Sequence, residues 1–149
     1  MSMPAEYVPP GLTLSDLLEG YADAPPIPIH GIASDSRRLA EGFLFLACQG
    51  VNSHGLDYLV EAQAAGASAI AFDASTIAMP NDIGLPMVGV DGLGEKLGEI
   101  ANRFYGRPSE ALSVVGITGR NGKTTVAWLI AQCRQLLGER CGYLGTLGY

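Results

Sequence analysis

Apolar positions change their spacing several times along the chain, and each change predicts an element. Leu14, Leu17, Leu18 and Tyr21 recur at helical spacing. Thr13 stands ahead of them as a capping residue, with Asp16 three positions on in a variant of the capping box. Pro25, Pro26 and Pro28 end that helix. Residues 29–36 read as a strand running into a polar turn, Ser34-Asp35-Ser36-Arg37. Residues 43–48, Phe-Leu-Phe-Leu-Ala-Cys, form a continuous apolar run, which suits a strand covered on both faces. A polar, glycine-flanked loop follows at 49–55, then a helix carried by Leu56, Leu59, Val60 and Ala64 that closes at Gly66. Residues 69–72 and 86–90 give two more strands. A helix with Leu93, Leu97, Ile100, Ala101 and Phe104 on one face stops at Gly106.

Residues 106–109, Gly-Arg-Pro-Ser, are the predicted linker, because glycine ends a helix and proline does not continue it. Beyond it, residues 112–117 form a short run rich in β-branched side chains, 118–123 form a glycine-rich loop, and a helix follows. Val126, Leu129, Ile130, Cys133, Leu136 and Leu137 share one face of that helix, and residues 141–144 begin another strand. This second pattern is one β-α-β unit.

The predicted organisation is therefore α/β: a loose arm at 1–11, a small domain at 12–108, and the first β-α-β unit of a second domain at 109–149. Composition agrees with a folded chain, since 48% of the 149 residues are hydrophobic and 16% charged. A net charge of −6 argues against nucleic-acid binding, which needs clustered Lys and Arg, and only Lys96 and Lys123 are lysines. No stretch approaches the roughly 20 apolar residues that span a bilayer, so no membrane partner is expected. The opening MSMPAEYVPP lacks the basic start and apolar core of a secretory signal, and a cytoplasmic location is expected. Cys48, Cys133 and Cys141 are odd in number and lack metal-ligand spacing, so they read as buried free thiols in a reducing compartment.

The strongest chemical signal is the order strand, Gly-Ile-Thr-Gly-Arg-Asn-Gly-Lys-Thr-Thr (116–125), helix. Glycines let successive backbone N–H groups turn toward phosphate oxygens with no Cβ in the way, and the helix N-terminus adds unpaired N–H groups and a favourable dipole. Lys123 offers a point charge to the β and γ phosphates, and Thr124 a hydroxyl to Mg²⁺. The general phosphate-loop motif asks for glycine where Ile117 stands, so the first position departs from it. The alternative is a glycine-rich turn that binds nothing.

Residues 118–125 resemble the ATP loop of the Mur ligase family, usually written TGTNGKT[TS], which also lacks that first glycine. Arg120 replaces its usual threonine, leaving the backbone able to serve. The resemblance extends to Ser34-Asp35-Ser36-Arg37, to residues 41–47, to Gly50 and His54-Gly55, to 102–109 (NRFYGRPS) and to 142–149 (GYLGTLGY). It covers residues 12–149 but only about the first third of such an enzyme.

The resemblance implies ATP-driven amide formation on a UDP-N-acetylmuramoyl dipeptide, through an acyl phosphate, with the third residue of the peptidoglycan stem peptide being added. It implies ATP and Mg²⁺ as cofactors, small-molecule substrates including a diamino acid, and a monomer when full-length. Diaminopimelate and lysine both remain open as that residue. Addition of D-Ala-D-Ala, a non-catalytic UDP-sugar module and an unrelated small kinase are the alternatives. Carried over by position, ATP would meet Gly119, Arg120, Asn121, Gly122, Lys123, Thr124 and Thr125, with Lys123 catalytic and Thr124 the Mg²⁺ ligand. The UDP-sugar would meet Ser34, Ser36, Val51, Asn52 and Ser53. Asp35 would either fix the turn or touch ligand, and Arg37 reads as structural. His30 and His54 read as plain loop histidines, Trp128 and Tyr143 as packing residues. The 149 residues by themselves are expected to be a truncated form without ligase turnover.

Overall fold

A computed structural model describes residues 11–50, 53–75 and 83–145. Val51, Asn52, most of the arm at 1–11 and residues 146–149 of the glycine-rich end lie outside the described residues. The chain divides into two compact units, Met1–Ala111 and Leu112–Tyr149.

In the first unit four parallel strands stand in the order β1-β2-β3-β4. They are β1 (Gly31–Ala33), β2 (Phe43–Ala47), β3 (Ala69–Asp73) and β4 (Met87–Val90). Three helices accompany them, α1 (Leu14–Leu18), α2 (Leu59–Ala64) and α3 (Leu93–Phe104). The register places Ala33 beside Phe45, and Phe45 beside Ile70.

Continuous apolar runs make sense here because alternate residues enter two separate cores. Leu44, Leu46, Ala69 and Ala71 pack with α1 and α3 through Leu17, Ile100 and their neighbours. Phe45, Ala47, Ile70 and Phe72 pack on the opposite face with Ala62 of α2. Thr13 caps α1 as expected: Asp16 Oδ2 accepts from the Thr13 amide at 2.8 Å while the Thr13 hydroxyl accepts from the Asp16 amide at 3.3 Å. Arg103 of α3 closes the other end of α1, donating from Nη1 to the carbonyls of Leu17 (3.1 Å) and Glu19 (2.7 Å). Its guanidinium also lies 4.6 Å from the centre of the Tyr21 ring.

The linker holds a short helix that the sequence did not suggest, α4 (Pro108–Ala111). Gly106 and Arg107 both adopt positive φ, the chain reverses there, and proline then occupies the first helical position, where its missing N–H costs nothing.

In the second unit α5 (Lys123–Leu136) forms as expected. Residues 112–117 and 141–144 form no strand, against expectation. An apolar run becomes a strand only when a neighbour accepts its ladder hydrogen bonds, and the described residues of this unit supply none. Ala131 is the one buried residue among its described residues, so other expectations fail with the strands. Trp128 is 52% exposed rather than packed, and Leu129, Leu136 and Leu137 are exposed as well. The cysteines are free, but Cys133 is exposed and Cys48 and Cys141 are only partly buried.

Candidate functional site

The first unit carries a cavity of about 510 Å³ above the carboxyl ends of β1 and β2, the end of an open parallel sheet where connecting loops diverge and leave room for a ligand. One wall is the turn after β1. Asp35 organises it: Oδ1 accepts from the Arg37 amide at 3.0 Å and caps a single 3₁₀ turn, Ser36–Arg38. The same carboxylate takes two charge-assisted bonds from the Arg37 guanidinium, Nε to Oδ1 at 2.9 Å and Nη2 to Oδ2 at 2.7 Å. These bonds lower the Asp35 carboxyl to about 2 and raise the Arg37 guanidinium. Asp35 therefore fixes the turn, and Arg37 is structural through that pair while its side chain stays 86% exposed. Ser34 and Ser36 face the cavity from this wall.

The other wall is the loop after β2. Gln49 bridges to His54, the Gly50 amide donates to the Ser53 carbonyl, and the Gly55 amide donates to the Cys48 carbonyl, both at 2.9 Å. Glycine at 55 is required by close approach, since a Cβ there would lie 2.5 Å from the Ala47 Cα. His54 is more than a loop histidine. Only 7% exposed, it caps the 3₁₀ turn Gly55–Tyr58, its Nδ1 accepting from the Leu56 amide at 3.0 Å while Asp57 Oδ2 accepts from the His54 amide at 2.9 Å. With Nδ1 an acceptor, the ring proton belongs on Nε2, which is buried without a hydrogen-bond partner among the described residues. The capped turn presents Tyr58, whose hydroxyl lies 3.2 Å from the Ser53 hydroxyl. Phe45 and Cys48 also line the cavity, and burial pushes the Cys48 thiol up, with the nearby Asp73 charge adding to it.

Of the five expected UDP-sugar residues, Ser34, Ser36 and Ser53 thus line one cavity, while Val51 and Asn52 lie outside the described residues. Tyr58 and the capping role of His54 were not anticipated. The signal was present as His-Gly-Leu-Asp, a capping box spelled with a ring nitrogen in place of a hydroxyl.

The second unit holds the glycine-rich loop, residues 118–123. Gly122 caps α5 with φ 78° and ψ 0°, a left-handed conformation that glycine adopts without strain, and Gly119 has φ 155°. The amides of residues 118–125 donate to no other described residue, and the first intrahelical bond here runs from Val126 to the Gly122 carbonyl. Lys123 curls back over the loop, its Nζ donating to the Gly119 carbonyl at 2.5 Å and reaching the Arg120 carbonyl at 3.5 Å. An ammonium held on loop carbonyls is already positioned over the loop. Thr124 is partly buried, and its hydroxyl has no hydrogen-bond partner among the described residues. Lys123 and Thr124 line a cavity of about 310 Å³ with Val115, Ile117 and Ala127. Arg120, Asn121, Gly122 and Thr125 are exposed. No group of three or more His, Cys, Asp or Glu among the described residues would hold a metal, and no helix among them is long and apolar enough to cross a membrane.

Residues 28–105 match the family model described as Mur ligase family, catalytic domain. A UDP-N-acetylmuramoyl-L-alanyl-D-glutamate–2,6-diaminopimelate ligase from Ectopseudomonas mendocina is 48% identical over 120 residues, covering 80% of this chain and 25% of the relative. A solved structure named for the same ligase superposes with a TM-score of 0.68 at 25% identity, covering 93% of this chain and 28% of that one. A MurF ligase from Thermotoga maritima, solved in complex with ADP, superposes with a TM-score of 0.54 at 26% identity, covering 70% and 23%. The chain spans about a quarter of the length of the curated relatives it matches.

Proposed function

Because the chain belongs to the Mur ligase family, we propose that it is the amino-terminal portion of an ATP-dependent ligase that joins diaminopimelate to UDP-N-acetylmuramoyl-L-alanyl-D-glutamate. Residues 12–108 form the nucleotide-sugar domain, and residues 109–149 open the ATP-binding domain. The observation that carries this reading is the cavity in which Ser34, Ser36 and Ser53 meet. Hydroxyls on both sides of an open, solvent-reached space, Ser34 and Ser36 facing Ser53, suit the ribose and diphosphate of a nucleotide-sugar. Diaminopimelate is preferred over lysine because the similar sequences carry that name.

The phosphate loop fits ATP because the amides of residues 118–125 are uncommitted and Lys123 overlies them. When bound, ATP would supply the phosphoryl group that activates the substrate carboxylate. Lys123 would exchange its carbonyl partners for phosphate oxygens and so bring positive charge to the transferring group. Thr124 fits one coordination position of a Mg²⁺ whose other oxygens come from triphosphate and water, since its hydroxyl is uncommitted and such sites need few protein ligands. The site is expected to act in the cytoplasm on small molecules, with no nucleic acid or membrane partner.

Calorimetric titration tests the reading. UDP-N-acetylmuramoyl-L-alanyl-D-glutamate should bind one to one, and Ser36→Ala should weaken it about tenfold, the loss of a hydrogen bond to a charged group. Lys123→Met should abolish measurable MgATP binding and leave the UDP-sugar unaffected. Ser36→Ala binding as tightly as the parent would remove the nucleotide-sugar assignment.

A further inference from the structure

Among the residues lining the cavity of the first unit, Tyr58 alone offers an accessible aromatic surface. It is 38% exposed, whereas Phe45 is 1% exposed and belongs to the core. The two walls differ in chemistry. Ser34 and Ser36 bring hydroxyl donors to one side, beside the Asp35–Arg37 ion pair, and donors are what a diphosphate requires. The opposite side brings a flat ring whose hydroxyl is already shared with Ser53 at 3.2 Å.

Tyr58 is also held more firmly than a surface tyrosine. It ends a 3₁₀ turn capped in both directions by His54 and Asp57, and that turn is pinned to the end of β2 where Gly55 meets Ala47. A rigid ring opposite a donor-rich wall suits a ligand with an aromatic end and an anionic end, the anion reaching the serines while the heterocycle lies on the ring.

We propose that Tyr58 reads the base of the bound nucleoside diphosphate, its ring stacking on the pyrimidine while the hydroxyl pair with Ser53 fixes its orientation. The inference rests on the nucleotide-sugar reading of this cavity and adds the residue that discriminates the base.

The test compares UDP with 5,6-dihydrouridine 5′-diphosphate, which keeps the ribose, the diphosphate and the base hydrogen-bonding edge but loses the aromatic ring. The chain should bind UDP about tenfold more tightly than the dihydro compound, the scale of one base–aromatic stack. Tyr58→Leu should weaken UDP about tenfold and bring the two ligands to equal affinity, while Tyr58→Trp keeps the preference. A leucine variant that still discriminates, or that binds UDP undiminished, overturns the proposal. Equal affinity of the unaltered chain for both ligands overturns it without any variant, so a failure of Tyr58→Leu to fold does not protect it. If the unaltered chain binds neither ligand, the nucleotide-sugar reading of the cavity is what fails.

Discussion

The carboxylate of Asp35 accepts three hydrogen bonds from Arg37, one from its amide and two from its guanidinium, and the turn beside the cavity takes its shape from them. Its carboxyl sits at about 2 against an ordinary 3.8, so folding favours the ionised form. That contribution is complete above about pH 4 and is lost as pH falls through about 2. Asp35→Asn should therefore lower the melting temperature at neutral pH, and the gap to the parent should close between about pH 4 and 2. A circular-dichroism melting series across that range reads the effect, and a gap independent of pH would count against it. Asp73 works at the far end of β3, where Oδ1 accepts from the Ser75 amide (3.0 Å), the Ser75 hydroxyl (2.6 Å) and the Gly92 amide (3.1 Å). Those bonds keep its carboxyl below the usual range and tie the strand end to the start of α3. Asp73→Ala leaves the two amides without this acceptor and should cost about 1–3 kcal/mol in denaturant unfolding.

At the scale of elements, the turn Gly55–Tyr58 stands where it does because glycine permits backbone contact with Ala47. Gly55→Ala forces that contact apart and should destabilise the fold by about 1–3 kcal/mol, with weaker UDP binding measured in the same preparation. The strands of the first unit were legible in the sequence because both faces of runs such as 43–48 find cover, from α1 and α3 on one side and α2 on the other. Residues 112–117 carry a similar run and form no strand, since a ladder partner is a tertiary fact that local spacing does not encode. Trp128 and Cys133 stay exposed for the same reason. That Ser34, Ser36 and Ser53 would line one cavity was legible only through a family resemblance, because serines in turns are common and nothing local groups them. His54 escaped notice because capping rules are written for hydroxyls and carboxylates, while here a ring nitrogen accepts the bond.

Across the whole chain, charge and core are unevenly divided. Leu112–Tyr149 holds four basic residues, Arg120, Lys123, Arg134 and Arg140, against the single acid Glu139, in a protein whose net charge is −6. Positive charge is thus concentrated in the unit that carries the phosphate loop, which favours approach of a polyphosphate. Every residue of both hydrophobic cores falls within Met1–Ala111. A chain ending at Ala111 should therefore keep its main thermal transition within about 4 °C, a shift corresponding to less than about 1 kcal/mol for a domain of this size. It should also bind UDP with unchanged affinity, as read by differential scanning calorimetry and titration.

The central claim is that a nucleoside diphosphate occupies the cavity between the Ser34–Arg37 turn and the Ser53–Tyr58 turn, and an amide-resolved NMR titration of the chain with UDP tests it most directly. Shifts should concentrate at residues 34–37 and 53–58 and saturate together at one equivalent. UDP that leaves those amides unmoved, or that moves only the amides of residues 118–125, would contradict the account.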